Sequence, residues 1–184
     1  IFGGFIMAKT TWTVDAAHSE IGFKVKHMMI SKVKGTFDTF DAVIEADVEN
    51  LEDSKVEVTI DTASVNTRNE ARDEHLRTGD FFNIEENPTI TFVATNIKKK
   101  TDSNYDLTGD LTIRGVTKPV TLDVTFEGIS KDPMSGSTVA GFSGEGSINR
   151  KDFGLEYNAA LETGGVLIGE EVKINFELEL QKQA

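Results

Sequence analysis

Apolar and polar residues alternate with a period of two along almost the whole chain. The pattern is clearest where Val172, Ile174, Phe176, Leu178 and Leu180 are separated by Lys173, Asn175, Glu177 and Glu179. Successive strand residues point to opposite faces, so each such run is a strand with one buried and one wet face. The alternation recurs at Ile21, Phe23 and Val25, at Val56, Val58 and Ile60, and at Ile90, Phe92 and Ala94. It returns at Leu107, Leu111 and Ile113 and at Val120, Leu122, Val124 and Phe126. Between Val33 and Val48 the apolar parity slips, from Val33 and Phe37 to Phe40, Ala42, Ile44 and Val48, the mark of a bulge or bend. Phe142 and Ile148 share one parity with Gly144 and Gly146 between them, so side chains are missing where a neighbour would pack. Turn signals stand at Asn50 and Asp53, at 101–104, at Lys118-Pro119, at 132–136 and at Gly164-Gly165. The chain then reads as eight strands. One helical stretch, 68–77, interrupts them, with Ala71, His75 and Leu76 at helical spacing and Asn66 or Thr67 available as N-cap.

Eight antiparallel strands with one buried face each stack as a sandwich or close on themselves, and closure removes the edges on which long strands aggregate. The expected fold is all-β, an eight-stranded antiparallel barrel with the short helix near one end. Such a barrel is just wide enough to be filled by its own side chains or to hold one slender ligand. A strand of about ten residues is ~33 Å long, or ~25 Å along the axis of a barrel tilted near 40°. At roughly 0.8 kcal/mol per buried methylene, apolar contact alone holds a long tail there.

Composition narrows the function. The 184 residues suit one domain. Residues 1–6 precede Met7-Ala8-Lys9, which reads like a native start, so they are taken as an appended remnant and 7–184 as the domain. No cysteine is present, which rules out disulfides and thiolate zinc sites. The 31 acidic against 19 basic side chains give a net charge of −12, which repels nucleic acid and, at long range, anionic head groups. No apolar run approaches the roughly 20 residues that span a bilayer, so stable membrane insertion is not expected. No secretory signal pattern opens the chain, and a cytoplasmic location is expected. A homodimer is left open. The histidines His18, His27 and His75 lack metal-ligand spacing, and neither metal nor cofactor is expected. Asp15, His18 and Ser19 invite a hydrolase triad, but Gly141-Phe142-Ser143-Gly144-Glu145 departs from the nucleophile elbow, and 141–146 lacks the ending of a phosphate loop. The run Lys98 to Lys100 reads as a solvated turn.

The stretch Trp12-Thr13-Val14-Asp15-Ala16-Ala17-His18-Ser19-Glu20-Ile21-Gly22-Phe23-Lys24-Val25-Lys26-His27-Met28 resembles the opening of the YceI-like, polyisoprenoid-binding family. Four later blocks agree: Val33-Lys34-Gly35-Thr36-Phe37; Arg72-Asp73-Glu74-His75-Leu76 followed by Phe81-Phe82; the run Gly109-Asp110-Leu111-Thr112-Ile113-Arg114-Gly115-Val116-Thr117-Lys118-Pro119-Val120; and Ile148-Asn149-Arg150-Lys151-Asp152-Phe153-Gly154. The resemblance implies an extended, lipocalin-like barrel that binds, sequesters or transports a polyisoprenoid or similar long-chain lipid without catalysis. Many relatives carry a signal peptide and work in the periplasm. Two other readings stand beside it: an isomerase or cyclase on an apolar substrate, which needs a perturbed acid or base in the pore, and a side-chain-filled, ligand-free interaction module related to stress.

Inward parity or adjacency to a family block selects the candidates for the pore wall. They are Trp12, Phe23, Phe37, Phe40 and Phe92 in the first half of the chain, and Leu111, Phe126, Phe142 and Phe153 in the second. Arg72 with His75, and Asn149 with Arg150, are the candidates for a polar mouth that receives a head group.

Overall fold

The computed structural model describes residues 9–158 and 168–183. Among them the strands are β1 (Thr10–Val14), β2 (Glu20–His27), β3 (Ser31–Phe37), β4 (Phe40–Ala46), β5 (Lys55–Asp61), β6 (Val65–Asn66), β7 (Thr89–Lys99), β8 (Asn104–Ile113), β9 (Val116–Lys131), β10 (Thr138–Asn149) and β11 (Ile168–Lys182), with helix α1 (Glu70–Arg77) between β6 and β7. They form one sheet. In the order β1-β4-β5-β7-β8-β9-β10-β11 it returns on itself, because β1 pairs antiparallel with both β4 and β11. The result is a closed eight-stranded barrel.

The three remaining strands continue members of the ring. A 3-10 turn at Ala16–His18 separates β1 from β2, the step Asp38-Thr39 separates β3 from β4, and a 3-10 turn at Thr62–Ser64 separates β5 from β6. Counting each broken strand once recovers the eight runs of the sequence, and the slipped parity between Val33 and Val48 is the β3–β4 break. Aspartates set two of these breaks: Asp15 Oδ1 accepts from Ala17 N–H and Asp61 Oδ1 from Ala63 N–H, each at 3.1 Å. Such local bonds offer the backbone an alternative to the ladder and turn it. Strand β11 is the seam. One edge pairs with β10, and the other pairs first with β2, from Ile168↔His27, and then with β1, ending at Trp12↔Lys182.

Where the ring splits, β6 has, among the described residues, β3 as its one strand neighbour. Helix α1 closes the split. Arg77 Nε donates to Ala63 O at 3.0 Å, and Arg114 Nη1 ties the following loop down by donating to Gly79 O at 2.7 Å and Phe81 O at 2.6 Å.

Three sequence expectations give way here, the third in part. The N-cap of the helix is neither Asn66 nor Thr67 but Asn69, whose Oδ1 accepts from Arg72 N–H at 3.1 Å, because Arg68 adopts a left-handed φ of 65° and breaks the helical run before it. Lys118-Pro119 is not a turn but lies inside β9, and the turn falls at Arg114-Gly115, with φ of 52° and 74°. Proline is tolerated because, among the described residues, β9 has only β8 beside it there, and β10 joins it from Asp123 onward. Of the run Lys98 to Lys100, Lys98 and Lys99 are exposed but end β7, opposite Asp106 and Tyr105 of β8, and Lys100 alone of the three sits in the turn, between Asp106 at 3.0 Å and Asp123 at 3.1 Å. Residues 1–6 and Gly164-Gly165 lie outside the described residues.

Candidate functional site

The inward faces of the barrel do not meet. They enclose a cavity of about 440 Å³ that reaches from Trp12, Ala46 and Leu180 at one end to Arg72, His75 and Arg150 at the other. Pockets of this size hold a drug-sized ligand. From Ile168 to Leu180, both on its wall, β11 runs ~40 Å, or ~30 Å along an axis tilted near 40°.

Pairs of glycine and aromatic residues keep the lumen open. Phe23 faces Gly35 across β2 and β3, Phe176 faces Gly144 across β11 and β10, and Phe92 leans over Gly109 from β7 to β8. A Cβ at Gly35, Gly109 or Gly144 would lie 2.4, 2.5 or 2.2 Å from the Cζ of its phenylalanine. The missing side chains therefore let the three rings lie flat along the wall instead of crossing the lumen. The gap the sequence shows at Gly144 and Gly146 is filled by Phe176 and Leu122.

The end beyond α1 is polar and cationic. Arg150 is 3% exposed, and every hydrogen bond it makes among the described residues goes to a backbone carbonyl: Nε to Gly169, Nη1 to Leu155 and Tyr157, Nη2 to Ile168. Burial pushes its guanidinium below the usual arginine range, with the charge of Glu170 acting against that shift. Arg72 donates through Nε to Thr67 Oγ1 at 2.7 Å and through Nη2 to Thr67 O at 2.8 Å. Thr67 in turn donates through its N–H and its hydroxyl to the buried carboxylate of Asp73. His75 lies edge-on to Phe81 and to Tyr157, with ring centroids 5.0 and 4.9 Å away, and its Nε2 is 2.8 Å from Asp80 Oδ2. Among the described residues no carboxylate lines the cavity.

Of the residues selected from sequence, Trp12, Phe23, Phe37, Phe92, Leu111 and Phe142 line the cavity, as do Arg72, His75 and Arg150. Four do not. Phe40 stands at the β3–β4 bend and packs on the core. Phe126 lies past Asn104↔Thr125, where β8 begins, and stacks on Phe142 at 5.1 Å. Phe153 is buried at the end of the 3-10 turn that carries Arg150, and that turn packs on β9, β10 and β11. The side chain of Asn149 caps the same turn, its Oδ1 accepting from Lys151 N–H at 3.0 Å. Tyr105 and Phe176 also belong to the wall. Both stand in the alternating runs, Tyr105 ahead of Leu107 and Phe176 after Ile174, so parity was the signal that could have found them.

His27 and His75 border the cavity, while His18 lies outside with its Nδ1 2.8 Å from Asp15 Oδ2 and 3.5 Å from Glu179 Oε2. The hydrogen bond between them raises the His18 pKa and lowers that of Asp15.

The YceI-like domain model matches residues 12–180. The chain belongs to the YceI-like family. A UPF0312 protein of Staphylococcus aureus strain MSSA476 is 48% identical over 170 residues, 92% of this chain and 96% of that protein. The crystal structure of the Campylobacter jejuni YCEI protein superposes with a TM-score of 0.75 at 38% identity, covering 93% of this chain and 97% of the other. A polyisoprenoid binding domain from Saccharophagus degradans, implicated in plant cell wall breakdown, shares the fold with a TM-score of 0.72 at 17% identity, covering 95% and 99% of the two chains. In the YceI-like barrel described here, then, an apolar lumen has Arg72, His75 and Arg150 in its lining at one end.

Proposed function

We propose that this protein binds a long-chain amphiphile of polyisoprenoid type, tail in the lumen and head at the Arg72–His75–Arg150 mouth, and sequesters or carries it without catalysing a reaction on it. The observation that carries this reading is the cavity of about 440 Å³, apolar over most of its length and cationic at one end. The name of the Saccharophagus degradans domain, which shares the fold, supports a polyisoprenoid ligand. The unfilled lumen speaks against a side-chain-filled module, and an isomerase or cyclase would find no carboxylate on the described wall and would have to draw its acid or base from His27, His75, Tyr105 or Tyr157.

Trp12 is the one tryptophan of the chain and lies at the end of the cavity away from the mouth. A polyene isoprenoid long enough to span the lumen quenches its fluorescence, and a short-chain analogue with the same head does not. Replacing Arg72 and His75 together by alanine weakens a phosphorylated polyene by about 1 to 3 kcal/mol and leaves an uncharged one nearly unchanged, because only the charged head loses donors. Quenching that ignores chain length, or equal losses for both heads, contradicts the proposed binding pose.

A further inference from the structure

The β2–β3 hairpin ends in three exposed apolar side chains. Met28, Met29 and Ile30 are 44%, 48% and 86% exposed. The turn closes when Ile30 N–H donates to His27 O at 3.3 Å, and its two central residues, Met28 and Met29, have left-handed φ values of 55° and 64°. A hairpin turn with positive φ at both central positions favours Asn-Gly, so methionines there are held against backbone preference without being buried. Unbranched, polarizable methionine is a side chain of adaptable binding surfaces.

Lysines flank this tip in a way that works against the isolated sheet. Lys24 is directly opposite Lys34, and Lys26 directly opposite Lys32. On the other side of β2, Lys173 of β11 is directly opposite Lys24. Like charges facing each other across strands repel. None of these five lysines has a carboxylate within 4 Å among the described residues; the ion pairs fall elsewhere, on Lys9, Lys55, Lys100 and Lys151. In a protein of net charge −12, residues 20–37 hold four lysines against the single carboxylate of Glu20. This basic face also adjoins the cavity, where His27 pairs with Ile168 and both line the lumen together with Lys26.

We propose that the β2–β3 hairpin docks the protein on an anionic lipid bilayer, with Met28, Met29 and Ile30 entering the head-group region and Lys24, Lys26, Lys32, Lys34 and Lys173 meeting the lipid charges. Apolar side chains at a tip and lysines behind it match the two layers of a membrane interface. Contact is peripheral, because the outer face of β11 carries Glu171, Lys173, Glu177 and Glu179 where a spanning barrel needs an apolar band. The acidic remainder of the surface is repelled by the same bilayer, so the molecule approaches hairpin first and presents its mouth to the lipid. That last consequence rests on the proposed carrier function; the docking itself does not.

Co-sedimentation of the purified full chain with vesicles of phosphatidylcholine, alone or with phosphatidylglycerol added, tests the proposal. The protein sediments with the anionic vesicles and not with the neutral ones, and salt near 1 M, where the screening length is ~3 Å, releases it. Replacing Lys24, Lys26, Lys32 and Lys34 together by glutamine lowers binding by at least about tenfold. The variant Met28→Asn, Met29→Gly, Ile30→Ser relieves the turn strain, so it melts no lower than the parent while its vesicle binding falls by a similar factor. No sedimentation with anionic vesicles, equal sedimentation with neutral ones, or unchanged binding by both variants overturns the proposal. Organic extraction of the same preparations separates the two readings. Protein that binds anionic vesicles but yields no lipid keeps the docking and overturns the carrier function; lipid-loaded protein that ignores the vesicles does the reverse.

Discussion

The lumen depends on what is absent from single residues. Gly144 faces Phe176 across β10 and β11, and a Cβ there would lie 2.2 Å from the ring's Cζ. Gly144→Ala therefore swings Phe176 into the cavity. The expected effect is a loss of polyene binding together with a stability cost of about 1–3 kcal/mol, read as quenching amplitude and melting temperature. Retained binding at full amplitude would mean that the ring does not guard the lumen. Parity along each strand reveals inward faces, which is why Trp12, Phe23, Phe37, Phe92, Leu111 and Phe142 were legible as wall. It says nothing of how far the lumen extends, so Phe40 at a bend and Phe126 beyond the start of β8 read the same way. The glycine–phenylalanine pairs stay hidden because their partners lie far apart in sequence and meet only through strand register. Asn149 and Arg150 are neighbours in sequence, yet one caps a turn and the other reaches the cavity, a division that only the turn's geometry makes.

At the scale of elements, the strands were legible because alternation marks each of them, and the break near Asp38 showed as a parity slip. The N-cap of α1 was not, because three polar residues within four positions compete for it. Asn66 Oδ1 accepts from Arg68 N–H at 2.9 Å, Thr67 is held by Asp73 and Arg72, and Asn69 is left to cap. Pro119 misled for a related reason: a turn and an unpaired strand edge tolerate a missing N–H equally well. Asp73 locks the approach to the helix by accepting from Thr67 N–H at 2.9 Å and from Thr67 Oγ1 at 2.6 Å, with both residues buried. Asp73→Ala leaves two buried donors unpaired and costs about 1–3 kcal/mol, and Asp73→Asn, which keeps one acceptor, recovers part of it. Amide hydrogen exchange then rises in α1 and the loop to Phe82 while the closed ring of strands stays protected. Uniform loss of protection throughout the barrel would show that α1 is integral to the fold instead of a cover on its open end.

For the whole molecule, closure and patterning work together. Eight strands close into a ring in which each has a partner on both sides over part of its length, their outer faces take the charge, and their inner faces enclose space that the side chains do not fill. An apolar cavity left empty forgoes the contacts its lining would otherwise make, and an occupant supplies them. Anything that binds only the folded state also raises its stability by mass action. The protein purified without added ligand should therefore carry cargo from its host and melt higher than the same protein after delipidation. Native mass spectrometry of the undelipidated protein tests this most directly. The account predicts a species heavier than the bare chain by the mass of one long-chain amphiphile, released on organic extraction; a single species at the bare chain mass, with no lipid in the extract and no change in melting temperature on delipidation, would contradict it.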